Sequence, residues 1–211
     1  MNTGGDGAPR VPTHLDRPRT LQRMLSGRLL HLLDPSPLDI EIGDLLTGIS
    51  RVNRWCGQTR GECGYNVAQH SVVVEAILLG MVAAKASRAL RQWALVHDLA
   101  EGVFGDIVTP VKAVIGEHGY RELEQRLERA IRLRIGLPAT LPPDWHAAVK
   151  RADRIAAVTE AVRLAGWSEA DARRDVGLGY RGALWAGDLE PWDERTARTR
   201  WMERFTEAGG R

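Results

Sequence analysis

From residue 43 onward, apolar residues return at steps of three and four, the spacing that aligns them on one face of an α-helix. Leu45, Leu46, Ile49 and Val52 mark a first helix within DLLTGISRVNRW, with Asp44 placed to cap it. Asn66 is the expected cap of a second, VAQHSVVVEAILLGMVAAKA, whose Val67, Val74, Ile77, Leu78 and Met81 form the apolar face. A third runs from about Ser87 to Val103 and stops near Gly105, with Pro110 opposing continuation. Further helices are expected from about Gly116 to Ile135, from Pro143 to Ala165 behind Pro142, and from about Glu194 to Ala208. Together these predict an all-α bundle.

Two stretches break this rhythm. In LLHLLDPSPLDIEI the prolines and the alternation of Leu38, Ile40 and Ile42 predict an extended arm or short strand, at most a minor β element. The glycines of GLGYRGALWAGD, residues 177–188, predict a surface loop before the last helix. The opening residues are rich in Gly, Pro and Thr and bury too little to offset their ordering entropy. We read residues 1–25 as a flexible tail and 26–211 as one domain, since 211 residues suit a single core better than two.

With 44% hydrophobic and 27% charged residues, the chain has the make-up of a soluble globular protein rather than a disordered or fibrous one. A net charge of +2 is too mild for a nucleic-acid-binding surface, so no stable nucleic-acid partner is expected. Cys56 and Cys63, seven apart, match neither a zinc knuckle nor a disulfide framework. The longest apolar stretch, Val67 to Ala84, is interrupted by Gln69, His70 and Glu75, so no membrane partner is expected. The first residues lack a signal-peptide core, and a cytoplasmic location follows as an expectation.

The segment VHDLAE carries the candidate chemistry. His97 and Glu101 are four apart on one predicted helix face, and Asp98 adjoins His97 along the apolar seam. A carboxylate buried there is costly unless paired or metal-bound, and a divalent cation satisfies both groups at once. Helical bundles build such sites from several helices, and His70 and Asp153 are the outstanding further ligands. Singly, each has a plainer explanation: a satisfied core histidine, or an aspartate bridging to Arg151 or Arg154. Two His and two Asp on three inward faces form a mixed N,O set suited to Zn, Mn, Fe, Co or Ni. Lys150, three residues before Asp153, projects from the same face, and Arg54 offers a planar fork suited to phosphate oxygens.

Over about residues 43 to 165 the chain resembles the HD-domain phosphohydrolases. Within them it is most similar to the small branch that includes the 5′-deoxynucleotidases and a deoxynucleoside triphosphohydrolase. Arg54-Trp55, NVAQHS, HDLAEGVFGDIVTPVK and KRADR carry the resemblance, in that order. It implies that His70, His97, Asp98 and Asp153 bind one divalent metal. It also implies that Arg54, Lys112 and Lys150 contact phosphate, and that Trp55 closes against the sugar and disfavours a 2′-hydroxyl. Glu101 and Asp106 are the acid-base candidates, Glu101 orienting or deprotonating water and Asp106 protonating the leaving oxygen. Their plainer readings are a group orienting a ligand, and a turn residue after Gly105. Gly102 stands where the alarmone-hydrolysing relatives carry Asp, and the HHE and GYP signature of the cyclic-dinucleotide phosphodiesterases is absent.

The expected substrate is a deoxynucleoside 5′-monophosphate. The first alternative is a deoxynucleoside triphosphate cleaved to release triphosphate, with arginines of Arg121 to Arg134 or Arg173-Arg174 lengthening the cationic track and additional Mg or Mn on the substrate. A catalytically silent nucleotide-binding module is the second. Relatives of this branch imply a homodimer or higher homo-oligomer, in whose interface, or in the core, Trp185, Trp192 and Trp201 would bury.

Overall fold

The computed structural model describes residues 20–82, 86–115 and 117–210, so the predicted tail lies outside the described residues as far as residue 19. Residues 21–23 of that tail are instead strand β1 (Leu21–Arg23), paired antiparallel with β2 (Leu29–His31), Leu21 opposite His31. Met24 N donates to Arg28 O at 2.9 Å and closes the hairpin. The minor β element expected within residues 29–42 forms at the start of that stretch, as β2, while Leu38 to Ile42 is not a strand. Pro37 presets a helical φ and Ser36 Oγ accepts from Leu38 N at 3.2 Å, giving a single 3₁₀ turn over Pro37–Asp39. The alternation serves to bury Ile40 and Ile42 while leaving Leu38 exposed.

The helices follow the apolar pattern, with informative departures. α1 (Ile42–Ile49) is shorter than predicted, and Asp44 does not cap it. Asp44 accepts instead from the Ser26 amide at 2.9 Å and the Ser26 hydroxyl, tying the hairpin to the bundle. α2 (Val67–Val82) starts as predicted, Asn66 Oδ1 accepting from Gln69 N at 2.9 Å; its predicted end falls partly outside the described residues. The third predicted helix divides into α3 (Arg88–Val96) and α4 (Glu101–Phe104). Between them Leu99 N donates to Val96 O and Glu101 N to Asp98 O, a three-residue winding that tightens the chain.

A close backbone approach requires that change of course. A Cβ on Gly48 of α1 would lie 2.3 Å from Gly102 O, and one on Gly102 would lie 2.6 Å from Leu45 O. Gly102 therefore lets α4 pack directly on α1, and an Asp there would collide. α5 (Thr109–Ile115) was not expected, because Pro110 reads equally as a stop and as a first-turn residue; here it serves as the latter. α6 (Glu122–Arg134) begins after a π-wound stretch over Glu117–Arg121. α7 (Pro143–Arg163), α8 (Glu169–Asp171) and α9 (Glu194–Glu207) complete the order.

α2 is the central helix, packed against α7, α3 and α9. Glu75, fully buried on it, accepts from Arg91 Nε of α3 at 2.7 Å and from Arg204 of α9. Trp201 lies in the core, while Trp185 and Trp192 are partly buried against it. The glycine-rich segment is the expected surface loop, anchored to the bundle at Trp185 and just beyond its end. Trp185 N donates to Thr159 Oγ1 at 3.1 Å, and Gln69 of α2 exchanges hydrogen bonds of 2.8 Å with Glu190 O and Trp192 N. Cys56 and Cys63 are both free thiols. No helix among the described residues is long and apolar enough to cross a membrane.

Candidate metal centre

His70 enters the site from the first turn of α2 and is fully buried. Its Nδ1 lies 2.6 Å from Glu160 Oε1, and its Nε2 lies 3.4 Å from Asp98 Oδ2 and 3.3 Å from Asp153 Oδ1. His97, in the tight turn after α3, donates Nδ1–H to Ala94 O at 2.8 Å and turns Nε2 toward Asp98 Oδ2 at 3.2 Å. Each Nδ1 is thus occupied by an acceptor, so the neutral form of either ring carries its lone pair on the inward-facing Nε2. The carboxylates stand at ion-pair distance but are not aligned to hydrogen-bond these atoms. Both Nε2 atoms are buried without a hydrogen-bond partner.

His70, His97 and Asp153 offer ligand atoms that all lie within 4.8 Å of one another, with Asp98 beside both imidazoles. Burial pulls the His70 imidazole down and Arg54 adds to that, yet Glu160, Asp153 and Asp98 outweigh both and hold it well above its ordinary value. His97 is likewise raised, Asp98 overcoming burial. The pocket is short of positive charge. Two inward-facing imidazole nitrogens without partners and two carboxylates form a donor set that fits a divalent transition-metal cation.

Glu160, which the sequence reading missed, is as central as the ligands. It lies seven residues after Asp153 on α7 and is fully buried. Oε1 meets His70, and Oε2 accepts from Arg54 Nε at 2.9 Å and Trp55 Nε1 at 3.2 Å. The signal was available: an acid within the apolar run IAAVTEAV, at the same helical spacing that singled out Asp153. Burial pushes its carboxyl up, but Arg54 and His70 prevail and hold it at about 2. Since its ordinary value is 4.5, its stabilisation is complete above about pH 5.5 and is lost as the pH falls through 2. That loss is on the order of 3 kcal/mol, from the shift of 4.5 to about 2. Urea midpoints of wild type and Glu160→Gln should accordingly differ far more at pH 7 than at pH 2.5; an equal gap at both would refute it.

Arg54, with only 12% of its side chain exposed, keeps Nη1 3.8 Å from Asp98 Oδ2. Trp55 and Cys56 adopt left-handed φ values of 57° and 53°, uncommon for such residues. Glu101 is buried with Oε2 lacking a partner, and its Oε1 is 3.8 Å from Lys112 Nζ. Burial, reinforced by Asp98 and Asp106, pushes the Glu101 carboxyl up to about 9. Without a cation at the centre it therefore holds a proton at neutral pH, opposite to the form a base requires. Lys112 is also engaged by Glu124 at 3.3 Å. Asp106 follows Gly105 on the loop after α4, and its charge acts on Arg54 and Glu101. Lys150 is exposed on α7 and lines, with His97, Asp98, Asp153, Trp93 and Arg129, a cleft of about 750 Å³ that opens from the centre.

Residues 44–166, which include every residue of this cluster, match the family model described as 5′-deoxynucleotidase YfbR-like. The chain belongs to this family. It is a family of HD-domain phosphohydrolases that use a divalent metal, which agrees with the expected resemblance. The chain is 50% identical over 163 residues to "Uncharacterized protein RCAP_rcc00048" of Rhodobacter capsulatus, covering 75% of this chain and 80% of that relative. It is 31% identical over 147 residues to "Uncharacterized protein YfdR" of Escherichia coli, covering 70% and 66%. Family membership joins the YfbR-like fold to the inward-facing histidines, and each supports reading the cluster as a metal centre.

Proposed function

We propose that this chain is a metal-dependent 5′-deoxynucleotidase that releases phosphate from deoxynucleoside 5′-monophosphates. The carrying observation is the pair of buried, unpartnered Nε2 atoms of His70 and His97 beside Asp98 and Asp153, within a chain of the YfbR-like family. These four residues would hold one divalent ion of the Zn, Co, Mn, Fe or Ni type. When bound, such an ion supplies Lewis acidity to a phosphoryl oxygen and to water.

The protein's own groups do the rest. Glu160 takes Arg54 Nε and Asp98 stands 3.8 Å from Nη1, which aims the guanidinium at the centre, where it would meet phosphate oxygens. Lys112 and Lys150 add charge where the phosphoryl group gathers it. Trp55 closes against the sugar and disfavours a 2′-hydroxyl. With positive charge added at the centre, Glu101 loses part of its upward push and can accept a proton from water. Water attacks phosphorus, the bond to the 5′ oxygen breaks, and Asp106 delivers a proton to that oxygen, leaving a deoxynucleoside and phosphate.

A second reading, release of triphosphate from a deoxynucleoside triphosphate, is favoured by Arg129 and Lys150. Both line the cleft, and neither side chain makes a hydrogen bond or ion pair among the described residues. It ranks behind because two other arginines of the same wall are engaged. Arg126 binds Leu33 O at 2.8 Å, and Arg132 binds Ala139 O at 3.1 Å and Glu128 at 3.3 Å. The deciding test offers deoxy- and ribonucleoside mono-, di- and triphosphates to protein stripped of metal and reloaded with Mn, Co, Zn, Fe or Ni, with products separated by chromatography. Phosphate from the deoxy monophosphates, faster than from the ribo forms, is expected. Intact triphosphate would move the assignment to the second reading, and no release with any metal would leave only a nucleotide-binding module.

A further inference from the structure

Glu160 touches both halves of the proposed site through different oxygens. Oε1 meets Nδ1 of His70 at 2.6 Å; Oε2 accepts from Arg54 Nε at 2.9 Å and Trp55 Nε1 at 3.2 Å. The carboxylate is fully buried, so no solvent can replace a lost partner. Its contact with Nδ1 keeps the His70 Nε2 lone pair turned inward. Its contact with Arg54 sets the plane of the guanidinium, and its contact with the indole tethers Trp55 in a left-handed conformation that persists only where surroundings enforce it. Two helical turns separate Asp153 from Glu160 on the rigid α7, so ligand and tether keep a constant spacing.

We propose that Glu160 is a positioning residue that sets metal affinity and discrimination against the 2′-hydroxyl together. This rests on the reading above, in which His70 holds metal and Arg54 and Trp55 hold the nucleotide. Three donors converge on one side chain, and only a carboxylate accepts at both ends. Glutamine presents one acceptor and one NH₂ donor, so with His70 protonated at Nδ1, N–H faces N–H at one end whichever way it turns. Aspartate is one methylene shorter and cannot reach both ends.

The test compares wild type with Glu160→Gln and Glu160→Asp. Affinity for Zn²⁺ and Mn²⁺ is read by competition with a chromophoric chelator, without nucleotide. In parallel, kcat and KM are measured for a deoxy- and the matching ribonucleoside 5′-monophosphate, and folding is followed by thermal melting. Glu160→Gln should weaken metal binding by about 10- to 100-fold. It should also raise KM for the deoxy substrate more than it lowers kcat, and bring the deoxy-to-ribo ratio of kcat/KM down several-fold. A folded variant with unchanged metal affinity and an unchanged ratio would make Glu160 a structural ion-pair anchor only, and would overturn the proposal.

Should neither variant fold, ¹⁵N spectra of the zinc-loaded wild type decide. His70 protonated at Nδ1 is expected, and a proton at Nε2 would overturn the proposal. Failure of this idea is distinct from failure of the nucleotidase reading. A wild type that hydrolyses no nucleotide sinks the latter, while the chelator and ¹⁵N measurements still judge Glu160.

Discussion

Asp153→Ala is expected to lower phosphate release by about a thousandfold, since losing Lewis-acid stabilisation of several kcal/mol corresponds to roughly one decade per 1.4 kcal/mol. Asp153 is one of the three residues whose ligand atoms lie within 4.8 Å of one another, and its Oδ1 sits 3.3 Å from the orphaned His70 Nε2. The variant should also come through metal loading with less bound ion by mass spectrometry. It should still fold, because the Asp153 side chain is 29% exposed and its removal leaves no large void. A folded Asp153→Ala protein that keeps more than a tenth of wild-type turnover would remove Asp153 from the ligand set.

Trp201→Ala carries the largest expected effect on stability away from the site. Trp201 is 0% exposed, stacks on Phe205 with centroids 4.9 Å apart, and donates Nε1–H to Leu95 O at 3.1 Å. Truncation leaves a cavity between α9 and α3 and a buried carbonyl without its donor, for a cost of about 3–5 kcal/mol. At roughly 2–4 °C per kcal/mol for a chain of this size, the melting temperature should fall by about 10 °C. A loss below about 1 kcal/mol by urea titration would contradict the packing of α9 described here.

The break between α3 and α4 shows how far apolar periodicity carries. His97, at φ −59° and ψ −33°, and Ala100, at φ −62° and ψ −25°, keep helical dihedrals, so the pattern of buried residues runs on while the hydrogen bonding does not. What interrupts it is the approach of α1 to Gly102, more than fifty residues away in sequence from Gly48. The same distance effect hid Glu160. Its position on an inward face was legible from its spacing to Asp153, but its partners His70 and Arg54 lie 90 and 106 residues earlier. Arg54 was read as a phosphate fork, and one of its donors turns out to be committed to that carboxylate.

Most helix positions, the Asn66 cap and the inward placement of His70 on α2 and Asp153 on α7 follow from the sequence alone. Each depends on side chains within about one turn of helix and on the 3.6-residue repeat. Tertiary structure alone decided which donor meets which carboxylate, that Asp44 holds the hairpin rather than capping α1, and that Glu101 is raised to about 9 while Glu160 is held at about 2. Two glutamates with the same intrinsic chemistry diverge because burial penalises the charge of both, Asp98 and Asp106 add to that penalty at Glu101 and outweigh Arg54 there, while Glu160 is hydrogen-bonded by Arg54 and His70 from distant parts of the chain.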